Sequence, residues 1–296
     1  MPEKQKIQKL KDYFIKREDI VMAFLFGSRA KENKIHEHSD WDIAVYFTPE
    51  KEDPLDPDNT RIHGIIEWEE QDREYPEEDK VWSDIMDILK TDDVDLIVLN
   101  RASASIADSA IRGLPLVIKN RWLYLEFMLL ITREAEDFRY FINDYYEIFQ
   151  RSKSLTEFDR HRLKRIIMFL EERISLYNYY ANFNFSDYSE DIHKRGDVER
   201  WTETIMNAVI DIAKIILASE KKAPSLSYRE TMDRAIWKLK LPDEFKIKFD
   251  KWVEFRNILA HEYLDIKWKR IDDFIKNSEQ YFQEFIKKVK EFLKNG

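Results

Sequence analysis

Two aspartates separated by one residue, Asp40 and Asp42, lead into an apolar run from Ile43 to Phe47, and a Gly27-Ser28 pair closes an earlier run from Val21 to Phe26. Residues two apart on a strand point to one face, so Asp40 and Asp42 would present two carboxylates side by side. Such anions raise each other's pKa unless a cation lies between them, and hard divalent ions such as Mg²⁺ take oxygen ligands of this kind. Gly27 supplies backbone freedom for a sharp turn, and Ser28 with the amides after it can open a helix whose N-terminus attracts phosphate. A phosphate cradle beside metal-binding carboxylates is suited to nucleotide chemistry. A second group lies far downstream, in the stretch Arg256-Asn257-Ile258-Leu259-Ala260-His261-Glu262-Tyr263.

The elements that must position the first group can be read from periodicity. Lys4 to Arg17 carries Ile7, Leu10, Tyr13 and Phe14 on one helical face, and Ile20 to Phe26 and Ile43 to Phe47 read as strands. Residues from about 49 to 80 are acidic, contain Pro54, Pro57 and Pro76, and show only one possible short strand, Ile62 to Trp68. They are expected to be an insertion, a flap near the nucleotide site rather than a folded module. Val81, Trp82, Ile85, Ile88 and Leu89 share a helical face, and Val94 to Leu99 reads as a buried strand with one carboxylate, Asp95, near its entry. A charge buried in such a run is costly without a partner. Ser103 to Ile111 is expected as a helix, Pro115 to Ile118 as an edge strand, and Trp122 to about Phe149 as a long helix.

Beyond that helix no strand is expected. Leu155 to Tyr180, Asp197 to Ala218, Tyr228 to Lys238, Asp243 to Tyr263 and Ile271 to Leu293 have helical periodicity, with Pro224 and Pro242 in the breaks and Asp197 as an N-cap after Arg195-Gly196. In the fourth of these, Trp252, Phe255 and Leu259 can form the core stripe, leaving Arg256 and Tyr263 on nearly one face. His261 is offset from Arg256 by roughly 140° at 3.6 residues per turn. The two would converge only at a groove or where another helix meets them. The fold class expected is α+β: a mixed-sheet domain over 1–119, a connecting helix over 120–154, and an all-α bundle over 155–296.

Composition bounds the possibilities. A length of 296 residues favours two domains, and 44% hydrophobic residues are enough for two cores. No run approaches the ~18 apolar residues of a membrane span, and the opening residues lack the apolar segment of a secretion signal, so the protein is expected to be cytoplasmic, with no membrane partner. Cysteine is absent, which excludes disulfides, a thiolate nucleophile and a Cys-based zinc site. The net charge of −9 argues against a chain built for non-specific nucleic-acid binding, though a local basic groove is compatible with it.

Strand, Gly-Ser, connection, Asp-x-Asp and strand, in that order, resemble the signature of the nucleotidyltransferase superfamily related to DNA polymerase beta, and within it the minimal nucleotidyltransferases. Eleven residues separate Ser28 from Asp40, about one more than the commonest form of the pattern. The downstream stretch resembles the Arg-x4-His-x-Tyr form of the motif of HEPN domains, all-helical bundles that include metal-independent ribonucleases and the toxin partners of minimal nucleotidyltransferases. Together the two resemblances cover nearly the whole chain and imply an antitoxin fused to its toxin.

The first resemblance implies that Asp40 and Asp42 hold Mg²⁺, that Asp95 completes the metal site and helps activate the acceptor hydroxyl, with Asp92 and Asp93, which precede the strand, as near alternatives, and that Gly27 and Ser28 bind the triphosphate of ATP. The second implies that His261 transfers protons, Arg256 stabilises charge on an RNA phosphate, Asn257 supports either group, and Tyr263 accepts AMP. Such a domain is also expected to form a homodimer. Two rival readings keep the elements. In one the nucleotide site modifies a small molecule such as an aminoglycoside and the helical half is structural; in the other the chain is a non-catalytic binding module.

Overall fold

The computed structural model describes residues 3–30, 39–49, 66–68, 73–151, 155–261 and 268–295, with the backbone alone for His261 and Asn295. The chain divides into two compact units, Met1–Ala135 and Glu136–Gly296.

In the first unit, helix α1 (Glu3–Lys16) precedes β1 (Ile20–Phe26) and β2 (Trp41–Phe47); α2 (Glu78–Leu89), β3 (Val94–Val98), α3 (Ala104–Ile111) and β4 (Leu114–Ile118) follow. The strand order is β3-β2-β1-β4. The β1/β2 and β1/β4 pairs are antiparallel and β2/β3 is parallel, giving the expected mixed sheet. A parallel pair cannot be joined by a hairpin, and the crossover from β2 to β3 carries α2.

Side-chain alternation divides the core between the two faces of the sheet. Ile43, Val45 and Phe47 pack with Leu10 and Phe14 of α1 and with Val81, Ile85 and Leu89 of α2. Met22, Phe24, Ala44 and Tyr46 pack instead with Ala107 and Ala110 of α3 and with Leu123, Phe127 and Ile131 from the start of α4 (Arg121–Arg151). Trp82, expected on the buried face of α2, is 42% exposed and keeps one polar tie, from its indole nitrogen to the Val94 carbonyl at 2.9 Å. Most of the acidic insertion lies outside the described residues. Its described return, Ile66–Trp68, is not a strand: the Glu67 amide donates to the Tyr46 hydroxyl at 2.9 Å, that hydroxyl donates to the Glu67 carbonyl at 3.1 Å, and the Glu67 carboxylate is ion-paired with Arg73. This anchor sits on the sheet face that Asp42 shares by its two-residue spacing from Ala44 and Tyr46.

The second unit is helical. After α4 come α5 (Glu157–Ile174), α6 (Tyr177–Tyr180), α7 (Phe185–Glu190), α8 (Ile192–Ser219), α9 (Tyr228–Lys238), α10 (Glu244–His261), α11 (Trp268–Asn277) and α12 (Glu279–Asn295). Helix α8 is the central member, buried on every side from Ile212 to Ser219, as expected of a helix apolar all round. Its one buried cation, Lys214, reaches Asp144 and Asp211, each at 2.7 Å, and Asp144 also receives two hydrogen bonds from Arg162 at 2.9 and 2.7 Å.

Helix boundaries depart from expectation at three points. The expected helix from Leu155 to Tyr180 is two, α5 ending at Ile174 with Ser175 as its C-cap and the short α6 beginning at Tyr177. Helix α8 begins at Ile192, where the Asp191 side chain accepts from the amides of His193 and Lys194, so Asp197 is not the cap and Gly196 lies inside the helix. A mid-helix glycine costs about 0.5–1 kcal/mol against alanine, which the long packed helix outweighs. The expected helix from Ile271 to Leu293 is two helices that break at Ser278, which is wholly buried, with its hydroxyl 2.5 Å from both the Tyr177 hydroxyl and the Phe274 carbonyl. A serine that hydrogen-bonds backward within its own turn competes with the helical ladder.

Candidate functional site

The first site forms where β1 ends. Gly27 has φ +69°, and a Cβ there would stand 1.9 Å from Oδ2 of Asp42. Glycine is therefore required twice, by the left-handed backbone and by the carboxylate that fills the space of a side chain. The antiparallel register sets Asp42 opposite Phe26, directly before Gly27, and the parallel register sets Asp42 beside Asp95. Asp40 precedes the strand and is exposed. Asp95 is exposed as well, so the expected penalty for a buried charge does not arise: it lies near the start of β3, an edge strand of the sheet.

Burial pushes the Asp42 carboxyl above the usual carboxylate range, the charges of Asp95 and Asp40 push it further, and Arg29 opposes them. The charges of Asp40 and Asp95 thus both act on Asp42. Among the described residues, no three acidic or imidazole groups close on a point that one metal ion could occupy. These observations are compatible, because charges couple over many ångströms whereas ligation of Mg²⁺ requires about 2 Å. The carboxylates of Asp40, Asp42 and Asp95 are the type of oxygen donor that a hard divalent cation takes.

Ser28 is half-buried in a turn spanning residues 27–30 rather than in a helix. Arg29, next in the chain, has a role that the motif did not reveal. Its Nε donates to the carbonyls of Ser39 at 2.6 Å and Asp40 at 3.2 Å, and its guanidinium carbon lies 4.7 Å from the centre of the Trp41 ring. Arg29 therefore ties the Gly-Ser turn to the backbone of the Asp-x-Asp segment.

The second site is built around Arg256 of α10. Arg256 is not on an open face: it is 7% exposed and Asn257 5%, because the side of α10 away from Trp252 and Phe255 is also covered. Its Nε donates to Asn207 Oδ1 of α8 at 2.7 Å, its Nη1 to Asn257 Oδ1 at 3.2 Å, and its Nη2 lies 2.7 Å from Asp137 Oδ2 of α4. The guanidinium carbon is 4.9 Å from the ring centre of Tyr228, at the start of α9, and the Tyr228 hydroxyl donates to the same Asp137 oxygen at 3.1 Å. Asp137, Asn207 and Tyr228 were not legible from the motif, since each is contributed by a different helix. His261 is the last residue of α10, and Tyr263 lies outside the described residues.

Comparison with known sequences agrees with both halves. Residues 8–121 match the family described as Polymerase beta, Nucleotidyltransferase, and residues 170–289 match the family described as Ribonuclease HepT-like. No curated protein matches the chain. The solved structure of YutE, a cytosolic protein of unknown function from Bacillus subtilis, covers 48% of this chain and 94% of its own at 16% identity and a TM-score of 0.42.

Proposed function

Since this chain is a fused protein, a polymerase beta-type nucleotidyltransferase domain followed by a HepT-like HEPN domain, we propose that the first half transfers AMP from ATP to Tyr263 of its own or a partner's HEPN domain, and so silences a metal-independent ribonuclease. In this reading the chain is an antitoxin and its toxin in one polypeptide. The domains are taken as 1–119 and 155–296, joined by a connecting helix.

The observation that carries the reading is the crowding of Asp42, which has Gly27 against its carboxylate and Asp40 and Asp95 acting on its charge. Asp40, Asp42 and Asp95 would hold Mg²⁺, which neutralises the triphosphate and polarises its α-phosphorus when bound. The turn at Gly27 and Ser28 orients the phosphates. The Tyr263 oxygen forms the new bond to the α-phosphorus and the bond from that phosphorus to the bridging oxygen breaks. Pyrophosphate leaves with the electron pair, and the phenolic proton passes to the Asp95 carboxylate. In the HEPN half, His261 moves the proton of the RNA 2′-hydroxyl, Arg256 stabilises the charge on the phosphate, and Asn257 orients the guanidinium. An adenylate on Tyr263 adds a bulky anion two residues from His261, opposing RNA entry by charge and by volume.

Intact-protein mass spectrometry after incubation with ATP and Mg²⁺ tests the assignment. A mass increase of one or more adenylates that disappears with Tyr263→Phe is expected. An unchanged protein mass, with AMP appearing on a small acceptor, would support transfer to a small molecule instead.

A further inference from the structure

Four helices of the second unit converge on a single side chain. Asp137 from α4, Asn207 from α8 and the Tyr228 ring from α9 all meet Arg256 of α10. The carboxylate holds one end of the guanidinium at 2.7 Å, the amide oxygen holds Nε at 2.7 Å, and the ring covers one face. Tyr228 also donates to Asp137 at 3.1 Å, so the floor and one wall are bonded to each other. A guanidinium is planar and its donors form a rigid fork, so contacts at Nε, at Nη2 and on one face leave the group a single orientation. An arginine free in solvent must surrender side-chain rotamer entropy when it engages a phosphate. Here that entropy is lost on folding, which leaves the cation oriented before any ligand arrives.

We propose that Asp137 and Asn207, with the Tyr228 ring beneath, are positioning residues of the ribonuclease site, acting through Arg256 to fix the orientation from which it stabilises charge on the RNA phosphate. The inference rests on the ribonuclease reading of the HEPN half. None of the three is required to touch RNA. A purely structural clamp would hold the helices together and alter stability without acting through Arg256 on the cleavage step.

The test uses the full-length chain carrying Asp40→Asn and Asp42→Asn, so that it is not adenylated. Single-turnover cleavage of a single-stranded RNA oligonucleotide is measured in EDTA, with RNA affinity by anisotropy and the melting temperature of every variant. Asp137→Asn is expected to lower the cleavage rate constant about 10–100-fold, by analogy with the loss of partners that orient metal-ligating side chains, with RNA affinity changed by less than about threefold. In an Arg256→Lys background the same substitution should add no further loss, because the group it orients is gone. Asn207→Ala should behave like Asp137→Asn, and Asn207→Asp, which keeps an acceptor for Nε, should recover most of the rate; this pair also serves if Asp137→Asn does not fold. Parental cleavage rates in Asp137→Asn and Asn207→Ala, or losses that multiply in the Arg256→Lys background, would overturn the positioning role and leave the ribonuclease reading standing. Absence of cleavage by the parent would overturn both.

Discussion

The α-carbon of Gly27 faces the carboxylate of Asp42 so closely that a methyl group there would stand 1.9 Å from Oδ2. The turn and the carboxylate therefore occupy one another's space, and the position of Asp42 depends on the absence of a side chain at the end of the preceding strand. Gly27→Ala should displace Asp42 and reduce AMP transfer at least 100-fold. It should also cost roughly 1–2 kcal/mol of stability, since a non-glycine residue is unfavourable at positive φ. Initial rates of transfer and urea unfolding midpoints check the two effects.

Asp42 is held above the usual carboxylate range first by burial and then by Asp95 and Asp40. A carboxyl whose folded pKa is raised favours the folded state where it is protonated. Its contribution falls as pH climbs from the ordinary carboxylate value, about 3.9, through the raised one. Asp42→Asn should therefore stabilise the metal-free protein at neutral pH, abolish the stabilisation given by Mg²⁺, and abolish transfer. Asp40→Asn should abolish transfer too, and Asp95→Asn should be severely impaired. Thermal melts with and without Mg²⁺ between pH 4 and 8, beside transfer assays, decide these points; undiminished transfer by a folded Asp40→Asn, Asp42→Asn chain would sink the nucleotide-site assignment.

Burial raises the pKa of Asp144, but hydrogen bonds from Arg162 and Lys214 outweigh it and leave the carboxyl well below the usual range. A depressed folded pKa gives stability that is present above the unfolded pKa and is lost as pH falls toward the folded one. The helical unit should consequently lose stability below about pH 4, and Asp144→Asn should flatten that acid limb. Asp144→Ala leaves Lys214 buried with one fewer carboxylate and should cost about 3 kcal/mol at pH 7. Circular dichroism melts across the acid range read both.

On one helix Arg256 and His261 are offset by roughly 140°, and a groove shared by two copies would bring such groups together. A homodimer through the helical half is expected, and light scattering at micromolar concentration measures it. A strictly monomeric chain that still cleaved RNA would contradict the composite groove.

If adenylation is the brake on the ribonuclease, the chain with Asp40→Asn and Asp42→Asn should inhibit growth, and adding His261→Ala should relieve that inhibition. Tyr263→Phe removes the acceptor hydroxyl while keeping its bulk, so it should be toxic and unresponsive to ATP. If Tyr263→Phe stays silent while the isolated helical half cleaves RNA, steric masking by residues 1–119 is the better account.

What the sequence determined by itself was local. The order of strand, Gly27-Ser28, Asp40-x-Asp42 and strand was legible because turn chemistry and two-residue alternation act over a few neighbours, and Tyr228–Lys238 was legible as a helix because its periodicity and its Ser227 cap lie within one stretch. Tertiary structure decided the rest. Asp191 rather than Asp197 starts α8, and Ser278 divides the last helical run, because the winning cap and the buried serine's bond to Tyr177 depend on three-dimensional neighbours. Asp95 is open to solvent because its strand lies at the edge of the sheet, which an apolar run cannot reveal. Arg256 was expected with Tyr263 on nearly one face outside the core stripe of Trp252, Phe255 and Leu259; packing covers Arg256 as well, and places Asp137, Asn207 and Tyr228 around a guanidinium whose partners no sequence spacing could supply.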